Sequence, residues 1–423
     1  MTVRRLAAVD AQMYWMSKQV ASDQFLLYAF DGAAPDLDVL RDDVLARASA
    51  CADLGLRITD AGFWTYPVWA PRTVEANQVV GHDLAENTWA GCLDAVAGLV
   101  ASQLDPRDMT WRLHVFADVD GVPGCSRAGS VAVVQISHAL GDGIRSSALA
   151  AYLFGRDEYP PAVLPGVPSV AALPVRGVAA ALAHRRLVRD TAAGLAPAPA
   201  VSRPVLGSNT FPRGRRHLRT VLVDRGRVSR SIPGRTVTVA VLSAISGALS
   251  GYLQERGEDP SQLAAEVPMA KSGPRQAFNH FGNVGVGLYP GQRSGTRARL
   301  IADELDACRR RTAHPARRAE DAASACVPAP LLRWGTSQFD PEARWSTVTG
   351  HTVVSSVNRG AKDLRLGAAP VVLTTGCPGL SPMMGVTHGV HGIGDTITIS
   401  VHAAESAMDD VDSYVERLQR ELS

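Results

Sequence analysis

Prolines recur between residues 159 and 212, in runs such as YPPAVLPGVPSVAALP and APAPAVSRP. Because proline fixes φ and lacks a backbone N–H, such a stretch interrupts regular elements and divides the chain. On each side of it, strand-like apolar runs are mixed with one or two long helical patterns. We therefore expect an α/β protein of mixed sheets, with an N-terminal subdomain over 1–158, a crossover linker over 159–212 and a C-terminal subdomain over 213–423.

Apolar periodicity supplies the individual elements. We expect strands at Gln24–Phe30, Trp111–Gly121, Ser130–Ser137 and His217–Asp224, and helices over Asp36–Gly55 and Thr88–Leu104. The second half also predicts a strong helix at TVAVLSAISGALSGYLQERG, later strands at APVVLTT and DTITISVHAA, and a final amphipathic helix at DDVDSYVERLQREL. A further helix, VAAALAHRRLVRDTAAGL, interrupts the proline-rich linker.

Composition excludes several classes of protein. A net charge of +2 gives no electrostatic reason to expect a nucleic-acid partner. The six cysteines form no CxxC pair, which argues against a zinc site or a disulfide framework and favours a reducing cytoplasm. The N-terminus lacks the sustained apolar region of a secretory signal, and no uninterrupted apolar run is long enough to span a bilayer. We expect a cytoplasmic protein, at most peripheral at a membrane surface.

One segment combines a strand with chemistry. The run SVAVVQIS leads into His138, followed four residues later by Asp142 and then by Gly143 and a helical pattern. A histidine with a pKa near 6.5 is suited to take a proton from a hydroxyl group, and a buried strand would hold its ring rigidly. Asp142 is placed to bond backbone or an arginine and fix the loop, while Gly143 lets the backbone approach a substrate.

The alternative is purely structural. Asp-Gly is a common turn dipeptide, and a lone histidine at a strand end is usually a satisfied polar residue. The chain lacks a GxSxG elbow, and no cysteine stands next to a histidine in sequence, so nothing points to a nucleophile.

The segment resembles the HHxxxDG motif of the wax ester synthase/diacylglycerol acyltransferase family, which belongs to the condensation-domain and CoA-dependent acyltransferase superfamily. Other segments are similar to the family in the same order along the chain: LAAVDAQMYWMS, LDPRDMTWRLHVFADVDG, the second-half helix with EVPMA and FGNVGVG, and the C-terminal helix. The positions that carry this similarity, besides the motif, are Asp10, Trp111, Gly282 and Asn283.

The resemblance implies two chloramphenicol-acetyltransferase-like subdomains in a V, with a tunnel between them and His138 at its middle. It implies an O-acyltransferase in which His138 is the general base and no covalent enzyme intermediate forms. The co-substrate is then acyl-CoA or an acyl-phosphopantetheine on a carrier protein, the acceptor is a small-molecule alcohol, and no bound cofactor or metal is needed. Asp142, Gly143 and Ser137 are expected to shape the motif, and Asn283, Gly282 and Trp111 to line the tunnel.

The sequence departs from the family at several positions. Ser137 replaces the first motif histidine, Thr238–Val239 replaces an Asn-Asp pair, and NRGAKD follows SSV where Pro-Gly-Pro is expected. Two alternatives therefore stay open beside storage-lipid synthesis. The first is a specialised acyltransferase of secondary metabolism that uses a carrier-bound donor. The second is a degenerate, non-catalytic module that binds acyl groups or lipid.

Three further features have competing interpretations. His388 and His391 are spaced as metal ligands on a helix, but the neighbouring glycines argue against a helix. The arginine runs HRRLVR, RGRRHLR and CRRRTAHPARR are candidates for binding phosphates of CoA, a carrier or lipid headgroups, or are simply solvated. The aromatic segment Phe63–Pro71 contacts lipid or ligand, or packs in the core.

Overall fold

A computed structural model of the chain describes residues 3–164, 166, 168–231 and 234–423. The predicted linker includes residues 165 and 167, which lie outside the described residues. The N-terminal part contains β1 (Arg4–Arg5), α1 (Ala8–Met16), β2 (Gln24–Phe30), α2 (Leu37–Ala50), β3 (Leu56–Thr59), β4 (Val68–Pro71), β5 (Val79–His82), α3 (Trp89–Leu99), β6 (Trp111–Val119), β7 (Gly129–Ile136) and α4 (Gly143–Leu153).

The middle of the chain forms α5 (Leu173–Ala192) and β8 (Arg203–Pro204). The remainder contains β9 (Arg216–Asp224), α6 (Arg225–Ser231), α7 (Val237–Glu255), β10 (Ala264–Ala270), β11 (Phe281–Gly287), α8 (Ser294–Ala313), α9 (Pro315–Ser324), α10 (Ala329–Ser337), β12 (Thr347–Val348), β13 (Thr352–Asn358), β14 (Arg365–Leu366), β15 (Ala369–Cys377), β16 (Val386–Ile393), β17 (Thr396–Ala404) and α11 (Val411–Glu421).

The N-terminal sheet has six strands in the order β14-β15-β2-β7-β6-β5. Its central strands β2, β7 and β6 are antiparallel, and the consecutive strands β6 and β7 form a hairpin. Every residue of β7 is buried, because helices α2 and α4 cover one face of the sheet and α3 covers the other. Alternate side chains of a strand point to opposite faces, which divides the apolar residues of β2 and β7 between these two cores.

The second sheet has the order β11-β10-β13-β16-β17-β9 and packs against α7, α8 and α11. Helix α7 is the only described helix long and apolar enough to cross a membrane, yet 72% of its most apolar stretch is buried inside the protein. Its sequence is apolar on every side because neighbours surround it, as expected for a core helix.

One long-range pairing joins the two halves of the chain. Strand β15 lies in the second half of the sequence but pairs antiparallel with β2 of the N-terminal sheet. The division into 1–158, 159–212 and 213–423 stays a prediction. Strand β15 falls in the last of these ranges but belongs to the sheet of the first. A segment assigned to the C-terminal subdomain completes the N-terminal sheet, because β2 otherwise presents an unpaired edge.

The glycine-rich segment around His388 forms strand β16, in which all eight residues are buried between β13 and β17. Glycine here permits close approach of β15 from the N-terminal sheet, since a Cβ at Gly389 would stand 2.6 Å from the carbonyl oxygen of Gly376 on β15.

Candidate active site

His138 stands in the short connection between β7 and α4. It begins a single 3₁₀ turn, His138–Leu140, and its side chain is half-buried. The preceding Ser137 is buried and donates its N–H to the carbonyl of Thr110 at 2.9 Å. The following Ala139 and Leu140 belong to the N-terminal core. The turn is therefore anchored on both sides of the imidazole.

Asn279 fixes the orientation of that imidazole. Its Oδ1 lies 3.0 Å from Nδ1 of His138, while its Nδ2 donates to the His138 carbonyl at 2.8 Å and to Oδ1 of Asp10 at 3.0 Å. Because both acceptors engage the amide nitrogen, the amide oxygen must face the ring and accept a hydrogen from Nδ1. The lone pair of the neutral ring then stands on Nε2. Burial also lowers the pKa of His138, which favours this neutral form.

Asp10, on α1, anchors Asn279 by accepting its hydrogen bonds. It is almost completely buried and accepts the backbone N–H groups of Phe278 and Asn279 at 3.0 and 2.9 Å. Burial raises its pKa to about 6 in spite of these hydrogen bonds. The segment before β11 is thereby tied to α1, and Phe281 at the start of β11 stacks on the His138 ring with centroids 5.7 Å apart.

Asp142 supports the loop rather than the imidazole. It is the N-cap of α4 and accepts the N–H of Arg145 at 3.1 Å, and its other bonds are to Arg275 at 2.7 Å and to the N–H of His280 at 2.8 Å. Burial opposes its charge, but the bonds from Arg275 and the two amides outweigh that cost and lower its pKa. The motif carboxylate is thus an ionised clamp between α4 and the β10–β11 connection.

Gly143 lies where α4 meets the second sheet. A Cβ at this position would stand 3.2 Å from a methyl carbon of Val357 on β13. Any larger side chain would have to displace Val357, so glycine allows the two halves to approach beside the histidine.

A cleft of about 1690 Å³ runs between the two halves and reaches Asn279, the partner of His138. His138 itself is not among the residues that line the cleft, so its place at the middle of a tunnel stays a prediction. Gly282 and Asn283 line it, as the resemblance implied, and a Cβ at Gly282 would meet open space. Its walls carry more basic than acidic side chains. The basic ones are Arg5, Arg176, Lys271, Arg311, Arg317 and Arg318, and the acidic ones are Glu266, Glu320 and Asp321.

Trp111 does not line this cleft. Its side chain is fully buried in the N-terminal core and donates from Nε1 to the carbonyl of Leu54 at 2.8 Å. Its position as the first residue of β6 turns it toward the core face of the sheet, so the expectation that it lines a tunnel is wrong.

His388 and His391, the histidines three residues apart, lie in the buried strand β16. His388 lies between Thr352 and the hydroxyl of Tyr414, at 2.8 and 2.7 Å, and burial lowers its pKa to about 3. His391 is buried on the same strand. Within the described part of the chain, no three His, Cys, Asp or Glu side chains are grouped as a metal site.

The remaining candidates divide between surface and core. Of the aromatic segment, Phe63 and Trp64 are exposed whereas Trp69 is buried in the core. In the run RGRRHLR, Arg215 and Arg219 form ion pairs with Asp94 at 2.7 and 3.0 Å. The runs HRRLVR and CRRRTAHPARR lie on α5 and on α8 and α9.

Sequence reasoning missed three functional neighbours of the motif: Asn279, Arg275 and His280. They lie within SGPRQAFNHFGN, whose resemblance to the family was read only at its Gly-Asn step. No periodicity marks them, because their partners are more than 130 residues away in the chain. A polar cluster before a strand was the single available signal.

Comparisons with known proteins extend the picture. No family model and no curated protein matches the chain. Among solved structures, the fold is that of the wax ester synthases, condensation domains and related acyltransferases, as the sequence resemblance predicted. The wax ester synthase/diacylglycerol acyltransferase from Marinobacter aquaeolei VT8 is similar with a TM-score of 0.66 and 17% identity, over 99% of this chain and 98% of that one.

Two further structures share the fold over nearly the whole chain. A variant of the starter condensation domain of rhizomide synthetase RzmA, solved with C8-CoA, has a TM-score of 0.59 at 13% identity and covers 100% of this chain and 94% of its own. TRI3 trichothecene 15-O-acetyltransferase from Fusarium sporotrichioides has a TM-score of 0.60 at 13% identity, over 99% of this chain and 94% of its own. The two-subdomain mixed α/β architecture expected from the sequence is confirmed.

Proposed function

We propose that this protein is an O-acyltransferase that moves an acyl group from a thioester to an alcohol, with His138 as general base. The observation that carries the proposal is the contact of Asn279 Oδ1 with His138 Nδ1, which leaves the Nε2 lone pair free for a hydroxyl proton. The shared fold of solved acyltransferases and condensation domains supports the reaction class.

The reaction follows from that geometry. His138 Nε2 takes the hydroxyl proton as the alcohol oxygen bonds to the thioester carbonyl carbon. The tetrahedral intermediate then breaks its carbon–sulfur bond, and the imidazolium returns the proton to the leaving thiolate. The products are an ester and a free thiol, and no bond to the enzyme forms. Base catalysis of this kind contributes about 10²–10⁴-fold, and positioning of both substrates supplies much of the rest.

The donor is acyl-CoA or an acyl group on a carrier phosphopantetheine. The excess of basic side chains in the cleft suits the phosphates that both donors share. The ordered surroundings of His138 argue against a degenerate binding module, because Asp10, Asn279 and Asp142 are buried and hydrogen-bonded around it.

The test is a panel of acyl-CoA donors of different chain length with lipid and secondary-metabolite alcohols, followed by mass spectrometry of the ester. We expect ester formation by the wild type and its loss in H138A. The matched control is H82A, which removes a half-buried histidine of β5 that contacts His114 and lines no part of the cleft. Ester formation by H138A at the wild-type rate would overturn the assignment, and so would a folded wild type inactive with every pair, including carrier-borne donors.

A further inference from the structure

Two of the arginine runs, far apart in sequence, meet on one surface. Helix α5 packs along α9, where His184 bonds Glu320 at 3.0 Å and His314 bonds Asp190 at 3.2 Å. Arg311, at the end of α8, donates to Thr191 at 3.2 Å. Packing therefore brings the run at residues 184–189 beside the run at residues 308–318.

The side of α5 that faces away from α9 has no protein partner among the described residues. Val175, Val178, Leu182, Arg185 and Arg189 follow one another at helical spacing and form one stripe, here called the α5 outer face. Val175, Val178 and Leu182 are 75%, 62% and 59% exposed. Over its 15 residues the stripe is about 20 Å long, with apolar side chains in its first turns and arginines in its last.

The charges of this surface are unbalanced. Arg185 and Arg189 are exposed and form no ion pair with any described carboxylate. The acidic residues nearby are already engaged, Asp190 by His314 and Glu320 by His184 and Arg317. The surface therefore combines unshielded cations with an exposed aliphatic stripe.

We propose that the α5 outer face docks on an anionic lipid surface, with the arginines at the headgroups and the aliphatic residues in the acyl boundary. A helix with an apolar stripe and adjacent arginines matches the chemistry of an interfacial helix. Protein hot spots are typically aromatic or arginine anchors in pockets, whereas this stripe is a row of Val and Leu, which suits the non-directional environment of lipid chains. Arg176 of the same helix bonds the carbonyl of Ala322 on α9 and lines the cleft with Arg318, so the cleft lies on the α9 side of α5, opposite the docking face.

The test is sedimentation with vesicles of phosphatidylcholine, with and without phosphatidylglycerol, at low and high salt. We expect binding only to the anionic vesicles, weakened by salt. At about 5-fold per arginine, R185A/R189A should bind roughly 30-fold more weakly. Loss of apolar insertion should weaken V178S/L182S at least about 10-fold.

The matched controls are R57A/R127A, which removes two exposed arginines from the N-terminal half, and V39S, which removes an exposed valine from α2. Both should bind like the wild type, and so should H138A, because docking is independent of the proposed reaction. Absence of binding to anionic vesicles, or binding that the α5 variants leave unchanged, would overturn the proposal. A defect of the α5 variants confined to carrier-borne donors would assign the face to a protein instead and overturn it equally.

Discussion

Replacing Asn279 by alanine tests most closely whether this residue fixes the tautomer and orientation that let His138 act as a base. The change removes three hydrogen bonds, to Nδ1 and the carbonyl of His138 and to Oδ1 of Asp10. It removes no group that the mechanism brings into contact with the reacting atoms. Asn279 is therefore a positioning residue, and its loss should act through the tautomer and orientation of the imidazole.

The magnitude follows from the hydrogen bonds. The bond to Nδ1 favours the Nδ1–H tautomer by about 0.5–1.5 kcal/mol, so its loss lowers the population of the reactive form up to about 10-fold. Freedom of the ring should add a similar factor, and we expect kcat to fall roughly 10- to 100-fold. Three buried hydrogen bonds at about 1 kcal/mol each should lower the free energy of unfolding by roughly 3 kcal/mol.

Asn209 provides the matched control. It is equally buried and donates to the carbonyls of Gly350 and Met383 at 3.2 and 2.9 Å, away from His138. N209A should lose a comparable free energy of unfolding while keeping kcat. Nitrogen-resolved NMR of the His138 ring should show the Nδ1–H tautomer at neutral pH in the wild type and in N209A, but a mixture in N279A. Equal kcat in N279A and N209A, with an unchanged tautomer, would refute the positioning role.

Two further predictions concern stability. R275M leaves the carboxylate of Asp142 buried without its cation and should lower the free energy of unfolding by about 3–5 kcal/mol in urea titrations; a loss below about 1 kcal/mol would show that the clamp is unimportant. Burial holds the pKa values of His388 and His402 at about 3 and about 4 in the folded state, against about 6.5 when unfolded. The unfolded state therefore binds more protons, and stability should fall as pH falls below 6.5, by about 2 kcal/mol per histidine down to pH 5. The raised pKa values of Asp10 and Asp23, about 6 each, act in the opposite direction by about 1 kcal/mol each, while the lowered pKa of His114, about 4, adds to the loss of stability. The histidines outweigh the two carboxyl groups, so a protein more stable at pH 5 than at pH 6.5 would contradict this balance.

Local patterns predicted the elements that carry the motif. The strand before His138 and the helix after Gly143 were both visible in the sequence, because a buried strand and an Asp-Gly helix start have strong local signals. Its spacing after His138 predicted that Asp142 bonds backbone or an arginine in a tight loop, and it bonds both. These features depend on neighbours within a few residues, which a sequence shows directly.

Long-range partners were beyond the same reasoning. Asn279 and Arg275 lie 141 and 133 residues from His138 and Asp142, so nothing in the local pattern joins them. The pairing of β15 with β2 is equally non-local. Trp111 was misplaced for a related reason, since the motif that contains it fixes its position in the chain but not the face of the sheet to which it turns.

Release of free thiol from acyl-CoA, followed with and without an alcohol acceptor, tests the central claim most directly. The account predicts that release by the wild type requires the alcohol, and that H138A, while still folded, loses the acceptor-dependent rate by about 10²–10⁴-fold. Acceptor-dependent release by H138A at the wild-type rate would contradict it.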